Sequence, residues 1–452
     1  MSRTTIGIIG LGYVGQVLLA SFSYHGYNVV GVDISDRVIS ALRKGKPTIY
    51  EEKIKDYLQY AHEEGYYTVS SDYDDLDSAD LIFITVNTNL NSDGYMDLST
   101  LRCVAENLVP VLKKSNHYVV LIVKSTVLPG TTRNIFIDFL SKETDLLFRE
   151  DFGVAVNPEF LREGTAIYDL EQANFVVIGS EDKYSGDLVE SFWREFYGVV
   201  GSKPTFVRTS IETAELTKLV FNAFLATKIS FANMIADLCE KIPNTDVDGV
   251  MRIIGLDPRI SPQFFGAGLG FGGSCLPKDL KALIKFGERR NVDMNLLKSV
   301  AKINERRVDW VINILKKYNV KKQQRVLVLG LSFKPRTNDV RGSIGIKIAK
   351  KLIAEGYTVS VYDPVAIPNA RQQLGMNVEY MMDLDSAITE ADVIIIATEW
   401  QEFKEVITRN MDRIRKNVLI IDGRRLLIDL EKELVMRNIQ YITIGRQKFL
   451  DA

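Results

Sequence analysis

Short apolar runs alternate with helical patterns over the first part of the chain. Five runs rich in Val, Ile and Leu read as buried strands: residues 5–10, 27–33, 79–86, 118–124 and 152–156. The segments between them have the apolar spacing of helices. Strands that alternate with helices are typical of a doubly wound parallel sheet, so the pattern predicts an α/β fold.

The opening pattern returns near the C-terminus. Residues 325–330, 356–363 and 391–398 match 5–10, 26–33 and 79–86 in the same order. This internal repeat predicts two related doubly wound domains. The second copy has Gly330-Leu-Ser-Phe-Lys334 where the first has a glycine-rich turn, so we expect it to bind a different ligand.

A long uninterrupted helix is predicted between the two copies. Apolar residues recur at helical spacing over 210–241, and neither Gly nor Pro interrupts the stretch. The helix is too long for a single small domain and too apolar for solvent. It is expected to join the domains, and both a subunit interface and a buried position within one domain remain open.

Composition excludes several classes of protein. Lys and Arg number 56 against 58 Asp and Glu, so bulk charge gives no basis for nucleic-acid binding. Three widely spaced cysteines (Cys103, Cys239 and Cys275) form neither a disulfide framework nor a zinc pattern, which favours the reducing cytosol. The three histidines lie in no metal motif, and we see no apolar run of about 18 residues that predicts a membrane span.

The first strand runs into a dinucleotide fingerprint. Gly10 gives the tight turn, Gly12 admits a pyrophosphate, and Gly15 allows close packing of helix on strand. Asp33 ends the second strand, where a carboxylate bonds ribose hydroxyls and repels a 2′-phosphate. The motif therefore predicts NAD rather than NADP, although Arg37 nearby leaves that preference open.

A cysteine lies in a second glycine-rich segment, Phe271-Gly-Gly-Ser-Cys275-Leu-Pro-Lys-Asp279. A thiol beside a cation ionises more readily, and the thiolate is a nucleophile. Taken alone, the segment also fits a tight turn with a small buried hydrophobe. The remainder of the chain favours the nucleophile.

Three further motifs carry polar groups at the ends of predicted elements. Residues 124–132 fit a strand, turn and helix with hydroxyls near the cofactor edge. Glu159 lies in a loop that is either a solvated turn or a source of a proton acceptor. Lys218 and Asn222 are one turn apart on the long helix; the lysine either extends to solvent or faces a substrate with Asn222.

Together these motifs resemble the nucleotide-sugar 6-dehydrogenase family. The resemblance covers almost the whole chain, and the Phe271–Cys275 and Asn157–Gly164 runs are its most specific parts. It implies an NAD-binding Rossmann-like domain over residues 1–205, a central helical dimerisation domain over 206–310 and a UDP-sugar-binding Rossmann-like domain over 311–452. A cytosolic homodimer that binds neither nucleic acid nor membrane, and no metal, is expected.

The resemblance also implies the chemistry. A sugar C6 alcohol is oxidised to a carboxylate with two NAD⁺, and Cys275 holds the intermediate as a thiohemiacetal and then a thioester. Lys218 and Asn222 stabilise the oxyanion, while Asp279 and Glu159 position water and move protons. The expected substrate is UDP-glucose. GDP-mannose or a UDP-N-acetylhexosamine is an alternative, as is an inactive NAD-binding scaffold.

Binding residues carry over position by position. The resemblance implies that the following contact the cofactor: Gly10, Gly12, Tyr13, Val14, Gly15, Asp33, Arg37, Thr88, Thr126, Glu163 and Arg341. It implies substrate contacts for Phe160, Leu161, Arg162, Lys218, Asn222, Arg259, Phe264, Gly272, Phe333, Lys334 and Arg424, with Arg259 reaching the substrate of the partner subunit. Cationic side chains suit a diphosphate, although each arginine alone could be a surface charge.

Overall fold

The computed structural model describes residues 4–447. The chain divides into two compact units, Met1–Phe221 and Asn222–Ala452, whose boundary falls inside a helix. Each unit contains one sheet. The predicted α/β class with two Rossmann-like domains and a central long helix is confirmed.

The first unit is built on an eight-stranded sheet with the order β3-β2-β1-β4-β5-β6-β7-β8. All neighbouring strands are parallel except β6 and β7, which are antiparallel. Chain order reverses between β1 and β4, and in such sheets ligands bind beyond the carboxyl ends of the strands at that point. The strands are β1 Thr5–Ile9, β2 Asn28–Val32, β3 Tyr67–Ser70, β4 Leu81–Ile84, β5 Val119–Val123, β6 Phe152–Val156, β7 Phe175–Ser180 and β8 Thr205–Thr209.

Helices cover the sheet of the first unit and bury an aromatic-rich core. Phe22 packs edge-on against Phe192, Trp193 and Phe196, and all four are buried. Short 3₁₀ and π-helical segments lie at Tyr73–Leu76 and Arg133–Asp138. The α-helices are α1 Tyr13–Tyr24, α2 Asp36–Leu42, α3 Ile54–Glu63, α4 Ser99–Lys114, α5 Phe139–Thr144, α6 Ala166–Glu171 and α7 Lys183–Val200.

One 29-residue helix, α8 (Ile211–Cys239), continues from the first unit into the second. It matches the helix predicted over 210–241. By its length and hydropathy alone, α8 could cross a bilayer, although no such segment was expected from the sequence. Of the most apolar 18-residue window of α8, 44% is buried inside the protein. Buried helices of soluble proteins have the same property, so α8 carries no argument for a membrane.

The second unit is built on a six-stranded, all-parallel sheet with the order β11-β10-β9-β12-β13-β14. The strands are β9 Arg325–Leu329, β10 Thr358–Tyr362, β11 Glu379–Tyr380, β12 Val393–Ile396, β13 Leu419–Asp422 and β14 Gln440–Thr443. The helices are α9 Val247–Gly255, α10 Leu276–Glu288, α11 Asn295–Glu305, α12 Arg307–Lys317, α13 Ile344–Ala354, α14 Ile367–Leu374, α15 Leu384–Glu390, α16 Gln401–Asn410 and α17 Glu431–Met436, with a 3₁₀ turn at Ile428–Leu430.

The internal repeat predicted from the sequence is confirmed. The matched runs form β1, β2 and β4 in one sheet and β9, β10 and β12 in the other, in the same relative order. Both switch points therefore lie at equivalent places in the two units. The three-part division at 205 and 310 stays a prediction.

Candidate active site

The glycine-rich turn after β1 has three glycines with three different physical reasons. Gly10 has φ +88°, so backbone conformation requires it, whereas a Cβ on Gly15 would lie 2.0 Å from the Gly10 carbonyl oxygen, so close packing requires a glycine there. A Cβ on Gly12 would meet no heavy atom of residues 4–447 within 4 Å. Space rather than packing explains Gly12, and the space fits a cofactor pyrophosphate at the start of α1.

Asp33 lies at the carboxyl end of β2, where the sequence predicted a ribose contact. Its two carboxylate oxygens each accept one backbone N–H, from Leu11 at 2.6 Å and from Ser35 at 2.8 Å. The side chain is half-buried, so each oxygen keeps a lone pair for a hydroxyl. Tyr13 and Val14 begin α1 directly after Gly12 and are half-buried, whereas Arg37 is exposed on α2.

The equivalent carboxylate of the second unit is already saturated. Asp363 follows β10, is 1% exposed, and accepts four backbone N–H groups and the Ser332 hydroxyl. It therefore has no capacity for a ribose. This agrees with the expectation that the second copy takes a different ligand.

Two threonines come together beyond β4 and β5. The Thr88 hydroxyl donates to the Thr126 carbonyl at 2.6 Å; Thr88 is buried and Thr126 is half-buried. The helical segment that follows is held by Glu215, whose carboxylate accepts the N–H groups of Gly130 and Thr132 at 2.6 and 2.8 Å. Burial raises the pKa of Glu215. The sequence showed Glu215 beside Lys218 but no signal for this role.

Glu159 and Lys218 form a buried ion pair in the first unit. Their charged atoms are 3.0 Å apart, and the side chains are 10% and 5% exposed. The Leu161 N–H donates to Glu159 at 2.6 Å, and the Lys218 ammonium lies 5.3 Å from the centre of the Phe160 ring. The pairing of Glu159 with the long helix was not predicted from the sequence, and Lys218 does not extend into solvent.

A second buried lysine, Lys124, lies at the end of β5. Its ammonium donates to the Asn157 side-chain oxygen at 2.9 Å and is 5.1 Å from the Trp193 ring centre. Burial lowers the pKa of Lys124 to about 7; Glu159 raises it and Lys218 lowers it further. The sequence placed Lys124 in a motif without giving it a role, because its partner is 33 residues away.

We expect stability to depend on pH through Lys124. Between pH 7 and the ordinary lysine value of 10.5, the unfolded chain binds a proton that the folded chain lacks, so stability rises with pH across that window. In Lys124→Met the slope of the unfolding free energy against pH should be smaller, by at most about 1.4 kcal/mol per pH unit for one proton. Urea unfolding at pH 6 to 10 measures this slope, and Lys142→Met, at an exposed lysine, is the control. Equal slopes in wild type and Lys124→Met would contradict the assignment.

Cys275 lies at the start of α10 in the second unit. It is the residue before the first turn of that helix, and its side chain is exposed. The helix N-terminus favours a negative charge, which stabilises a thiolate. Cys275 is therefore not the small buried hydrophobe of the alternative interpretation. None of the three cysteines, all within the described residues, forms a disulfide.

Asp279 lies one turn after Cys275 and is 1% exposed. One carboxylate oxygen accepts the Asn222 side-chain N–H at 2.6 Å. The other, Oδ1, lies 2.8 Å from the Lys278 ammonium but accepts no hydrogen bond in proper geometry from residues 4–447. A buried acceptor with unused capacity is suited to take a proton or hold a water.

Close packing requires the two glycines before Cys275. A Cβ on Gly272 would lie 2.4 Å from the Gly342 carbonyl oxygen, and one on Gly273 would lie 2.9 Å from the Phe333 ring. The Gly273 N–H donates to the Arg341 carbonyl at 2.9 Å. The turn therefore packs directly on the segment that contains Phe333 and Arg341, which were predicted to contact the substrate and the cofactor.

The other predicted substrate residues differ in their surroundings. Arg162, Arg259 and Arg341 are more than half exposed, and each forms a bidentate pair with a nearby Asp. Arg424 donates to the carbonyls of Ala397 and Gly270. Leu161, Glu163, Phe264 and Lys334 are half-buried.

No group of three His, Cys, Asp or Glu side chains suited to a metal ion occurs within residues 4–447. The polar groups assembled in the two units are instead a carboxylate and lysine pair, a carboxamide and carboxylate pair, and a thiol at a helix start. These are groups for acid–base and covalent chemistry.

Comparison with known proteins gives three domain matches in chain order. Residues 4–197 match the model of the UDP-glucose/GDP-mannose dehydrogenase family, NAD binding domain. Residues 212–306 match the central domain of that family, and residues 327–429 match its UDP binding domain.

Individual relatives extend over nearly the whole chain. The UDP-glucose 6-dehydrogenase TuaD of Bacillus subtilis is 38% identical, covering 98% of this chain and 93% of its own length. A UDP-glucose dehydrogenase structure from Pyrobaculum islandicum superposes with a TM-score of 0.88 at 33% identity and 98% coverage of both chains. A UDP-D-ManNAc dehydrogenase structure from Pyrococcus horikoshii gives 0.82 at 28% identity, covering 98% of this chain and 99% of its own.

Proposed function

Because this chain belongs to the UDP-glucose/GDP-mannose dehydrogenase family of NAD-dependent oxidoreductases, we propose that it oxidises C6 of UDP-glucose to give UDP-glucuronate. The observation that carries the proposal is the exposed thiol of Cys275 at a helix start, one turn from the buried carboxylate of Asp279. Such a thiol suits a dehydrogenase that oxidises an alcohol first to an aldehyde and then to a carboxylate.

NAD⁺, when bound, accepts one hydride in each of the two oxidation steps. The open space above Gly12 and the half-buried carboxylate of Asp33 suit its pyrophosphate and ribose. Asp33 would repel the 2′-phosphate of NADP, because its carboxylate receives only backbone N–H groups and no cation among residues 4–447. Thr88, Thr126, Glu163 and Arg341 remain proposed cofactor contacts.

Cys275 would convert the aldehyde into a form that can be oxidised again. Its sulfur adds to the aldehyde carbon, which gives a thiohemiacetal and keeps the reactive aldehyde attached. Loss of a second hydride and the hydroxyl proton leaves a thioester. Water then attacks the thioester carbon, the C–S bond breaks, and the carboxylate and the thiol are released.

Four side chains would assist these steps. Lys218 and Asn222 would stabilise the negative oxygen on C6 during hydride loss and water attack. Asp279 would accept a proton at Oδ1, which lies beside the Lys278 ammonium, and Glu159, paired with Lys218, would position water. The buried environment of both carboxylates strengthens these interactions relative to water.

UDP-glucose is preferred over the alternatives by overall similarity. The UDP-glucose dehydrogenases are 33–38% identical to this chain, while a GDP-mannose dehydrogenase structure is 30% and the UDP-D-ManNAc dehydrogenase structure 28% identical. Arg259 is proposed to reach the diphosphate sugar from the partner subunit, Arg424 to lie near the substrate, and Arg162 to lie in the loop that lines the sugar. GDP-mannose and UDP-N-acetylhexosamines remain alternatives, because sugar stereochemistry has no direct signature in these residues.

The deciding experiment measures NADH formation by purified protein with UDP-glucose, GDP-mannose and UDP-N-acetylmannosamine. We expect two NADH for each UDP-glucose consumed and no NADH formation with the other two nucleotide sugars. Turnover with another sugar alone would replace the substrate and keep the chemistry. Turnover with none would favour the inactive scaffold.

We further propose a cytosolic homodimer with three domains, divided near residues 205 and 310. An exposed apolar face on the second part of α8 supports the dimer: Phe224, Phe231, Met234 and Leu238 are 41–63% exposed. Ile253 on α9 and Leu256 just after it are also apolar, and they are 64% and 78% exposed. The small number and wide spacing of the cysteines fit a reducing compartment.

Charge on this face should separate the subunits. We expect the double substitution Met234→Glu/Leu238→Glu to reduce the mass in solution from that of a dimer, twice 51.0 kDa, to that of a 51.0 kDa monomer. The reason is that two carboxylates per chain would be buried at the contact. Light scattering after gel filtration measures the mass. Met376→Glu, at a residue 89% exposed elsewhere in the second unit, is the control. A dimer unchanged by the double substitution would exclude α8 as the contact.

A further inference from the structure

Three segments of the first unit converge on one buried carboxylate, that of Glu51. Glu51 lies in the loop between α2 and α3 and is 8% exposed. Its Oε2 accepts the Gly164 N–H at 2.7 Å and the Tyr13 hydroxyl, and its Oε1 accepts the Ala166 N–H at 2.9 Å. The Gly164 N–H also reaches the Tyr13 oxygen at 2.9 Å. No local sequence pattern indicates this cluster, because Glu51 and Gly164 are 113 positions apart.

The loop that carries Glu51 is itself fastened to the cofactor turn. The buried amide of Gln16 donates to the Thr48 hydroxyl at 2.8 Å and accepts the Thr48 N–H at 2.9 Å. The same amide donates to the Leu11 carbonyl, inside the glycine-rich turn, at 2.8 Å. Glu51 therefore extends from a rigid base rather than from a mobile loop.

The partners of Glu51 belong to the two parts of the site that must act together. Tyr13 is the first residue of α1, directly after the glycine turn proposed to bind the cofactor. Gly164 and Ala166 end the loop that carries Glu159, proposed to position water, and Glu163, proposed to contact the cofactor. Burial and the Glu51 carboxylate raise the pKa of Tyr13, which keeps its hydroxyl as a donor. A charged acceptor makes each of these hydrogen bonds stronger than a neutral one would be.

We propose that Glu51 is a positioning residue for the oxidation, which holds the Glu159–Gly164 loop in register with the glycine-rich cofactor turn. The proposal rests on the proposed function, because it takes the reacting groups from it. Glu51 touches neither reactant in this scheme. It acts through Gly164, Ala166 and Tyr13, and a displacement of about 1 Å at a reacting group can cost about 10²-fold in rate.

Glu51→Gln is the informative variant. The amide keeps the volume, but its NH₂ end must face one of the N–H groups that the carboxylate accepts. We expect kcat to fall about 10- to 100-fold, whereas the dissociation constant for NAD⁺ alone stays within about threefold. The adjacent, exposed Glu52→Gln should match wild type in both. Glu51→Asp keeps two acceptor oxygens on a shorter arm and should recover part of kcat.

A second measurement does not depend on turnover. Amide hydrogen exchange in a peptide covering residues 160–171, without ligand, should accelerate in Glu51→Gln and remain at the wild-type rate in Glu52→Gln. Unchanged exchange, an unchanged kcat, or a loss of NAD⁺ binding in parallel with kcat would each overturn the proposal. A wild type that oxidises no nucleotide sugar would instead refute the proposed function, and the exchange result would then test the Glu51 contacts alone.

Discussion

Cys275→Ser should release UDP-glucuronate at least about 10³-fold more slowly than wild type. An alkoxide is far harder to form than a thiolate at neutral pH, and an oxygen ester hydrolyses less readily than a thioester. The first oxidation does not need the thiol, so a rapid burst of NADH of at most about one turn per site is compatible with the mechanism. Rapid-mixing absorbance for NADH and chromatography of the sugar product measure the two stages separately.

Cys103→Ser is the matched control, because Cys103 is the other exposed thiol of the chain. It should keep the wild-type rate. Alkylation with iodoacetamide, followed by peptide mass spectrometry, should label Cys275 and be slowed by UDP-glucose. Undiminished steady NADH formation by Cys275→Ser would refute the thioester route while leaving the two-hydride oxidation to be explained by another nucleophile.

The strands on either side of each switch point could be predicted from the sequence, whereas the edge strands, the antiparallel β7 and the buried β13 were not predicted. Strands β1, β4, β5 and β6 are buried almost throughout, so their apolar runs are continuous. The edge strands β3 and β8 have exposed positions along them and lack that signal. Strand β7 is apolar but was not predicted, and its antiparallel pairing with β6 departs from the βα alternation on which the other predictions were based.

The residues of the candidate site likewise fall into two groups, those that a local sequence pattern predicts and those that it does not. Residues that act through local geometry, such as the glycines of the cofactor turn and the Cys275 segment, have a compact signature in sequence. Glu51, Lys124 and Glu215 act on backbone and side chains that are 33 to 115 positions away. A lone Glu or Lys has no local pattern that distinguishes such a role from a surface charge, so only the folded chain identifies them.

Lys218→Met is the second substitution with a large expected effect, and it separates the two roles of its ion pair. Removing the cation leaves the Glu159 carboxylate buried without its partner, which should cost about 3 kcal/mol of unfolding free energy. If Lys218 also stabilises the negative oxygen on C6, kcat should fall about 10²- to 10³-fold. Urea unfolding and steady-state kinetics give the two quantities on the same preparation.

The double variant Lys218→Met/Glu159→Gln distinguishes structure from chemistry. Replacing the carboxylate by a neutral amide removes the unpaired charge, so most of the lost stability should return. The rate should not return, because neither the cation nor the carboxylate is then present to act on the substrate. Lys218→Arg keeps the charge and should hold stability near wild type. Recovery of kcat together with stability in the double variant would show that Lys218 serves the fold alone, and the oxyanion role would then be withdrawn.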